Sequence, residues 1–421
     1  MRVGVQTWGS DGDIRPLIAL AGGLKSAGYD VTLAVTSTEN RDYASICQNL
    51  GIDYIKAPEH TECDIADLGQ KINQIRNRVK ALKFLTQEIY LHYLADMYSA
   101  AQALCNTCDL VVGHFTVFPL KMASIQTGTP YVSTILFRGC VPSVYRPPGR
   151  LPNLGRIGNY FEWKLIQNLI DFIFKKEVKR FWKGAGLNPP RHVLPDAWES
   201  DRLNLIAASR VFCPPQPDWG TQYRVCGYFH IPESLETWLM PRSLQEFCDA
   251  GDPPVYMTFG LLQPYYMEKN VELMLAAAKI AGCRAIIQTT SPEYPPHSVD
   301  QNIYFIDRAP HSQIFPQCGA VVYHGGGGTA HSVTLCDRPS VIIGFSNEHM
   351  AYGQDLFRLG AASKPIRYRK ATAESIARRI VEVINTPSMR ARTTELGDIM
   401  RKENGVNKAV ESIRTLGVLM A

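Results

Sequence analysis

Val321-Val322-Tyr323-His324-Gly325-Gly326-Gly327-Gly328-Thr329 decides the fold. The apolar run Ala320 to Tyr323 reads as a strand, the histidine and glycines as a loop, and Thr329-Ala330-His331-Ser332-Val333, which carries no turn signal, as the opening of a helix. Glycine leaves backbone N–H groups uncovered and tolerates positive φ, so four in succession let a loop wrap closely round a bulky anion. The following helix adds unpaired N–H groups and the positive end of its dipole. A glycine-rich turn without a ligand is the plain alternative; His324 and Thr329, which bracket the glycines with side-chain donors, favour phosphate. No lysine follows the last glycine, so this is not a Walker loop, and the spacing is not that of the dinucleotide fingerprint.

Working outward, Ala309-Pro310-His311 and Ile314-Phe315-Pro316-Gln317-Cys318 precede the loop, and Lys364-Pro365-Ile366 and Ala371-Thr372-Ala373-Glu374 follow it. In order and spacing this series resembles the nucleotide-sugar-binding half of the GT-B UDP-glycosyltransferases, most closely the sterol glucosyltransferase and antibiotic-aglycone glycosyltransferase branch. The resemblance covers nearly the whole chain. It implies an α/β fold of two Rossmann-like doubly wound domains facing across a cleft. It also implies that His324, Gly326, Gly327, Gly328 and Thr329 hold a donor diphosphate, with Ala309, His311 and Gly260 beside them.

Composition sets the outer bounds. A chain of 421 residues favours two or more domains, each able to bury a core without metal or disulfide. The hydrophobic fraction of 45% and charged fraction of 20% are those of a globular protein. A net charge of +5, with 39 acidic residues among 44 basic ones, speaks against a nucleic-acid partner. Eleven cysteines, scattered and odd in number, with a single Cys-x-x-Cys at Cys105 and Cys108, point to reduced thiols in a cytoplasmic chain rather than a zinc site or disulfide framework. Met1-Arg2-Val3-Gly4-Val5 reads as a strand and not a signal peptide, and no apolar run reaches the roughly 18 residues of a membrane span, which leaves peripheral contact as the membrane role still open.

From the N-terminus, Val3 to Thr7 reads as a strand, Trp8 to Pro16 as a loop, Leu17 to Ala27 as a helix stopped by Gly28, and Tyr29 to Val35 as the next strand. Such alternation predicts a parallel sheet with ligand loops at the carboxyl ends of its strands. The loop Gly9-Ser10-Asp11-Gly12-Asp13-Ile14-Arg15-Pro16 therefore sits where ligands bind. Its carboxylates have three readings: a helix cap at Asp13, an Asp-x-Asp metal site, or a general base. The loop resembles the Gly-Ser-Arg-Gly-Asp-x-x-Pro loop of the sterol glucosyltransferase branch, which implies that Asp13 removes the acceptor's proton, with no metal, and that Gly9 and Ser10 lie at the donor. Asp11 stands where that family has arginine, which predicts a more negative field around Asp13 and a raised proton affinity.

Further strands are expected at Asp53 to Ala57, Asp109 to Gly113 and Tyr131 to Phe137, with long helices between, notably Lys71 to Leu104. His114 ends its strand at the same sheet edge as Asp13, either as a structural residue or as part of an acceptor site. Phe115, Phe118, Phe137 and Val141 would make its wall apolar. In Tyr160 to Lys176, positions 161, 165, 166, 169, 170 and 173 form a helical stripe, with Trp163, Phe172 and Phe174 off it and Lys175, Lys176, Lys179, Arg180 and Lys183 at the end. A core-facing helix with a solvated basic end is one reading, and a surface for lipid-like acceptors or anionic membrane the other.

Proline and glycine between Pro214 and Pro254 mark a connection. The domain boundaries expected are an acceptor domain 1–225, a linker 226–253, a nucleotide-sugar domain 254–395, and terminal helices 396–421 that cross back. Strands are expected at Val255 to Phe259, Ala285 to Thr289, Ile303 to Ile306, Ala320 to Tyr323 and Ser340 to Gly344. Leu261 replaces the serine of the family's Phe-Gly-Ser turn. After the last of these strands the family carries an Asp-Gln pair that grips glucose hydroxyls; here Glu348-His349 aligns with it, and histidine at the second position goes with galactose in plant relatives. The implied reaction is inverting transfer of a hexose from a UDP-sugar, glucose or galactose, to a hydroxyl of a hydrophobic acceptor, with the UDP-sugar as co-substrate and no other cofactor. The departures at Asp11, Leu261 and Glu348-His349 also keep a non-catalytic nucleotide-sugar or lipid-binding module, or a nucleotide-sugar epimerase or hydrolase, in view.

Overall fold

The structure, a computed structural model, describes residues 1–58, 83, 84, 86–149, 151–231, 238–260, 267–297 and 299–418. Most of the stretch expected as a helix from Lys71, together with Cys63, Arg150 and Leu261, lies outside them. Two compact units divide the chain: Met1–Leu235 with Glu403–Ala421, and Glu236–Lys402.

Seven parallel strands build the first unit's sheet: β1 (Arg2–Gly9), β2 (Asp30–Ser37), β3 (Asp53–Lys56), β4 (Leu110–His114), β5 (Tyr131–Ile135), β6 (Asn204–Ile206) and β7 (Tyr223–Val225), in the order β3-β2-β1-β4-β5-β6-β7. Both faces are covered, which is why the strands read as apolar runs without alternation. Val3, Val5, Leu110 and Val112 face one core, which includes Leu17 and Leu20; Val111 faces the other, with Leu104 and Phe118. Strands β6 and β7, of three residues each, are too short to carry a period.

The helices of this unit are α1 (Asp11–Ser26), α2 (Ala44–Asn49), α3 (Leu94–Thr107), α4 (Phe118–Thr127) and α5 (Gly155–Gly184). Helix α1 starts six residues earlier than the expected Leu17, so the loop after β1 is only Ser10. Pro16 masked this: so near the start of a helix its missing N–H removes one bond, toward the carbonyl of Gly12, and the helix tolerates it. In α5 the buried side is turned from the expected stripe but keeps part of it, Ile173. Trp163, Ile173, Val178 and Trp182 are buried, whereas Phe161 and Leu165 face solvent.

The second unit holds six parallel strands, β8 (Val255–Thr258), β9 (Ala285–Gln288), β10 (Ile303–Ile306), β11 (Ala320–Tyr323), β12 (Ser340–Gly344) and β13 (Ile366–Arg367), ordered β10-β9-β8-β11-β12-β13. Its helices are α6 (Arg242–Asp249), α7 (Met267–Ala281), α8 (His311–Ile314), α9 (Gly327–Leu335), α10 (Asn347–Arg358), α11 (Ala373–Ile384) and α12 (Pro387–Arg401). Helix α6 lies inside the stretch expected as irregular connection; Pro241 is its N-cap and Leu244, Phe247 and Cys248 its buried side, so the proline that suggested a break starts a helix instead.

Helix α12 stays on α9, so close that a Cβ on Gly397 would come within 2.7 Å of the Thr334 carbonyl oxygen. The return to the first unit follows it. Glu403 Oε1 accepts from Ser209 Oγ at 3.0 Å and from the Arg210 backbone N–H at 2.9 Å, and α13 (Gly405–Val418) lies on α1, with Ala409 and Ile413 in the same core as Leu17. The backbones touch here: a Cβ on Gly405 would stand 2.7 Å from the Gly227 carbonyl carbon. Gly405→Val should destabilise the first unit by about 1–3 kcal/mol through overpacking, read as a lower denaturation midpoint at unchanged slope.

Candidate functional site

In a doubly wound sheet, the loops after the first strand and after the strand on its other side lead to helices on opposite faces, which opens a crevice at the carboxyl ends. In the first unit those strands are β1 and β4, which deliver Asp13 and His114. In the second they are β8 and β11, which deliver Gly260 and His324.

Asp13 occupies the third position of α1. Its Oδ2 accepts from the Ser10 backbone N–H at 3.0 Å and from Ser10 Oγ at 2.9 Å, so the capping reading holds for one oxygen. Gly9 has φ +117°, and a Cβ there would lie 2.6 Å from Asp13 Oδ2. Within this unit, then, Gly9 and Ser10 hold the carboxylate. The other oxygen is 4.0 Å from His114 Nε2, beyond hydrogen-bond range, and the Asp13 side chain is 41% exposed. One oxygen is fixed and the other is free to meet a hydroxyl.

His114 has a defined tautomer. Trp8 Nε1–H donates to Thr116 Oγ1 at 2.6 Å, so that hydroxyl's own hydrogen is left for His114 Nδ1, 2.8 Å away. The Thr116 backbone N–H also points at Nδ1, at 3.4 Å. Nδ1 is therefore the acceptor and Nε2 carries the hydrogen, aimed toward Asp13. Burial lowers the His114 pKa to about 4 against the opposing pull of Asp13, so the ring is neutral at physiological pH. Trp8 and Thr116 went unnoticed in the sequence; the only signal was a threonine two residues past a strand-end histidine.

Asp11 does not act as expected. Its Oδ2 is 2.5 Å from Arg41 Nη1 and its Oδ1 accepts from Tyr43 Oη at 3.0 Å. Burial would raise its pKa, but Arg41 and Arg15 outweigh that and hold it below the usual carboxylate value. It stays ionised, and Arg41 neutralises it, so the more negative field expected around Asp13 is not there. Its commitment to Arg41 and Tyr43 also leaves Asp-Gly-Asp poorly disposed as a metal pair.

The acceptor wall is only partly as expected. Phe115 is buried, with its ring edge-on to Trp198 at 5.5 Å, and Phe118 and Val141 are also buried, so these three form core and not wall. Phe137, just past β5, is half-buried over Gly139.

In the second unit the glycine loop is shaped by two histidines, one through its ring and the other through its backbone carbonyl. Gly325 has φ +89°, and a Cβ there would sit 2.6 Å from the His349 carbonyl oxygen; one on Gly326 would sit 2.4 Å from His324 Nε2. Only glycine fits either place. Gly326 caps α9 with its backbone alone, so the N–H groups of Gly327, Gly328 and Thr329 open the helix without a capping side chain, and the first helical bond runs from Ala330 N–H to the Gly326 carbonyl at 2.9 Å. The last two glycines thus belong to the helix.

His324 and His349 meet edge to face with centroids 4.9 Å apart, and the Nδ1 atom of each is buried without a hydrogen-bond partner. Burial, reinforced by His349 and His311, lowers the His324 pKa to about 3; burial lowers that of His349 to about 4. His311 stacks on Phe315 at 4.3 Å, just after Ala309 and Pro310 at the end of β10. Gly260, φ +59°, abuts the His324 ring. Ser346, neither Asn347 nor Glu348, caps α10, accepting from the His349 backbone N–H at 3.1 Å, which leaves the Glu348 carboxylate and His349 ring in that helix's first turn beside the loop.

Two such doubly wound parallel sheets are the fold of the GT-B glycosyltransferases, and solved structures agree. The chain superimposes on the kitacinnamycin glycotransferase with TM-score 0.72, at 14% identity over 99% of this chain and 98% of the other. It superimposes on the glycosyltransferase VinC, solved in complex with DTDP, with TM-score 0.67, at 18% identity over 99% and 100% of the two chains. By sequence the chain is a homologue of glycosyltransferases, and residues 283–414 match the family described as erythromycin biosynthesis protein CIII-like, C-terminal domain. It is 26% identical to O-mycaminosyltylonolide 6-deoxyallosyltransferase of Streptomyces fradiae, over 97% of this chain and 96% of that protein. It is 24% identical to a sterol 3-beta-glucosyltransferase of Cryptococcus neoformans over 98% of this chain, which spans only 27% of the fungal protein.

The depressed histidines set a pH dependence. An unfolded chain takes up protons on these rings near pH 6.5 while the folded one does not until about pH 4, so stability is lost as pH falls between those values. Melting followed from pH 7 to 4 should show this fall, and His114→Gln should lessen its slope by up to about 1.4 kcal/mol per pH unit, the value of one proton.

Proposed function

We propose that this chain is an inverting, metal-independent glycosyltransferase that moves a hexose, glucose or galactose, from a UDP-sugar to a hydroxyl of a hydrophobic alcohol such as a sterol or polyketide. The observation that carries the reading is the start of α9, where three backbone N–H groups open the helix without a capping side chain beside the His324 ring, whose Nε2 lies toward Gly326 and whose buried Nδ1, toward Gly260, has no partner. A neutral ring and three helix-opening N–H groups form an anion receptor that nothing in the fold itself requires. Names of relatives support the chemistry: one from Dictyostelium discoideum is called UDP-sugar-dependent glycosyltransferase 52, whereas VinC was solved with a thymidine nucleotide, so the base must be tested.

In this reading Asp13 accepts the acceptor's hydroxyl proton on its free oxygen. The hydroxyl oxygen bonds to the anomeric carbon as the bond from that carbon to the diphosphate oxygen breaks, and the sugar inverts in a single displacement. Charge arriving on the diphosphate is met by the amides of Gly327 to Thr329 and by His324. Ser10 orients the base, and His114, neutral and hydrogen-bearing at Nε2, does not compete for its proton.

Asp13→Asn should leave nucleotide binding intact and lower transfer by about 10²-fold or more, with turnover measured as product by mass spectrometry; near-normal turnover would remove the base role from Asp13. A chelator should change nothing, and loss of activity restored by manganese would revive the Asp-Gly-Asp metal reading.

For the donor, the pair Glu348 and His349 would read the sugar. Replacing them with aspartate and glutamine should shift preference toward UDP-glucose by roughly 10- to 100-fold, since an unmatched buried polar group costs about 1–3 kcal/mol. The screen compares UDP-glucose, UDP-galactose, UDP-N-acetylglucosamine and their thymidine counterparts, and an unchanged ranking would place sugar selection elsewhere.

A further inference from the structure

Helix α5 exposes what an amphipathic helix normally hides. Leu154, just before it, and Ile157, Phe161, Leu165 and Phe172 follow one another at helical spacing, with Asn168 in the gap, and all five apolar side chains face solvent; Ile157 is 77% and Phe172 67% exposed. The same line continues as Lys176, Lys179 and Lys183, which have no carboxylate partner among the described residues. Helix α5 turns its opposite side, with Trp163, Ile173, Val178 and Trp182, to the interior, so this stripe is surplus to the core. A contiguous apolar patch on an otherwise ordinary surface marks an interaction site.

We propose that this face docks the chain on an anionic lipid surface, lying along it. The charge pattern selects that occupant. The apolar half suits the acyl boundary and the cationic half the headgroups of one continuous plane, whereas two copies of the stripe packed together would set lysines against lysines or against leucine and phenylalanine. Carboxylates stay out of the line: Asp171 is tied to His192 and Lys175 at 2.7 and 3.4 Å, and Glu177 to Arg180 at 2.9 Å. Lys83 and Lys164 reach over the rings of Phe172 and Tyr160 at 5.6 and 5.7 Å, adding cations at the level of the aromatics. Among the described residues no helix is long and apolar enough to cross a membrane, so α5, about 45 Å long, would rest on the surface and not span it. The inference uses no step of sugar transfer and is tested without catalysis.

The test is co-sedimentation of the full chain with vesicles of phosphatidylcholine alone and of phosphatidylcholine mixed with phosphatidylglycerol. The mixed vesicles should bind it far better, and binding should weaken as salt rises. Phe161→Asp with Leu165→Asp should cut binding roughly tenfold or more, and Lys176→Glu with Lys179→Glu roughly fivefold per lysine, each with circular dichroism unchanged. Equal binding to both vesicle types, or no response to either double variant, overturns the proposal. So does an absence of vesicle binding with a wild-type dimer that Phe161→Asp/Leu165→Asp converts to monomer, which would assign the face to a second copy.

Discussion

The structure depends on one constraint of parallel sheets: a right-handed crossover puts successive helices on one face until the winding reverses, and at the reversal two neighbouring loops part. That happens twice here, between β1 and β4 and between β8 and β11. Asp13, His114 and His324 sit at these partings, and His349 follows the adjacent strand β12. Asp13 and His114 face each other because β1 and β4 are neighbours with Gln6 opposite Gly113, and His324 meets Gly260 because Tyr323 pairs with Thr258. Register in the sheet therefore fixes side-chain geometry at the site, without any loop having to be long.

The cost of these sites appears as burial without compensation. A core histidine ordinarily finds a partner for each ring nitrogen; His114 does at Nδ1, through Thr116 and Trp8, but His324 and His349 leave Nδ1 unmet. A buried nitrogen without a partner destabilises by about 1–3 kcal/mol. Retaining two of them side by side, with Gly260 and Gly326 ceding space to the His324 ring, is intelligible if a ligand supplies the missing bonds. The low pKa values follow from the same burial, and they keep both rings neutral until an anion arrives.

Much of this was legible in the sequence because the decisive elements are short and strongly patterned. The strands Ile303–Ile306, Ala320–Tyr323 and Ser340–Gly344 coincide with their apolar runs. What misled was punctuation. Pro16 and Pro241 look like breaks, yet near the start of a helix a missing N–H costs little, and α1 and α6 run where irregular chain was expected. Periodicity in α5 identified a helix but not its inward side, since apolar residues lie on both sides and only packing decides which are covered. Phe115 and Phe118 failed as wall residues for a similar reason: aromatic character near a site does not say which way a side chain turns.

Position 11 shows why single-position departures mislead. Aspartate for arginine looks like a change of two charge units beside the base, yet Arg41, thirty residues on and placed by the end of β2, lies 2.5 Å from that carboxylate, and Tyr43 donates to it as well. The guanidinium absent from position 11 is supplied in space by position 41. A pair this close and only partly exposed presents a dipole where a lone carboxylate would present a charge, and a dipole's field fades faster with distance. Asp13 therefore keeps Ser10 and His114 as its effective neighbours, and the loop's resemblance to the sterol glucosyltransferase pattern survives the substitution that seemed to weaken it most.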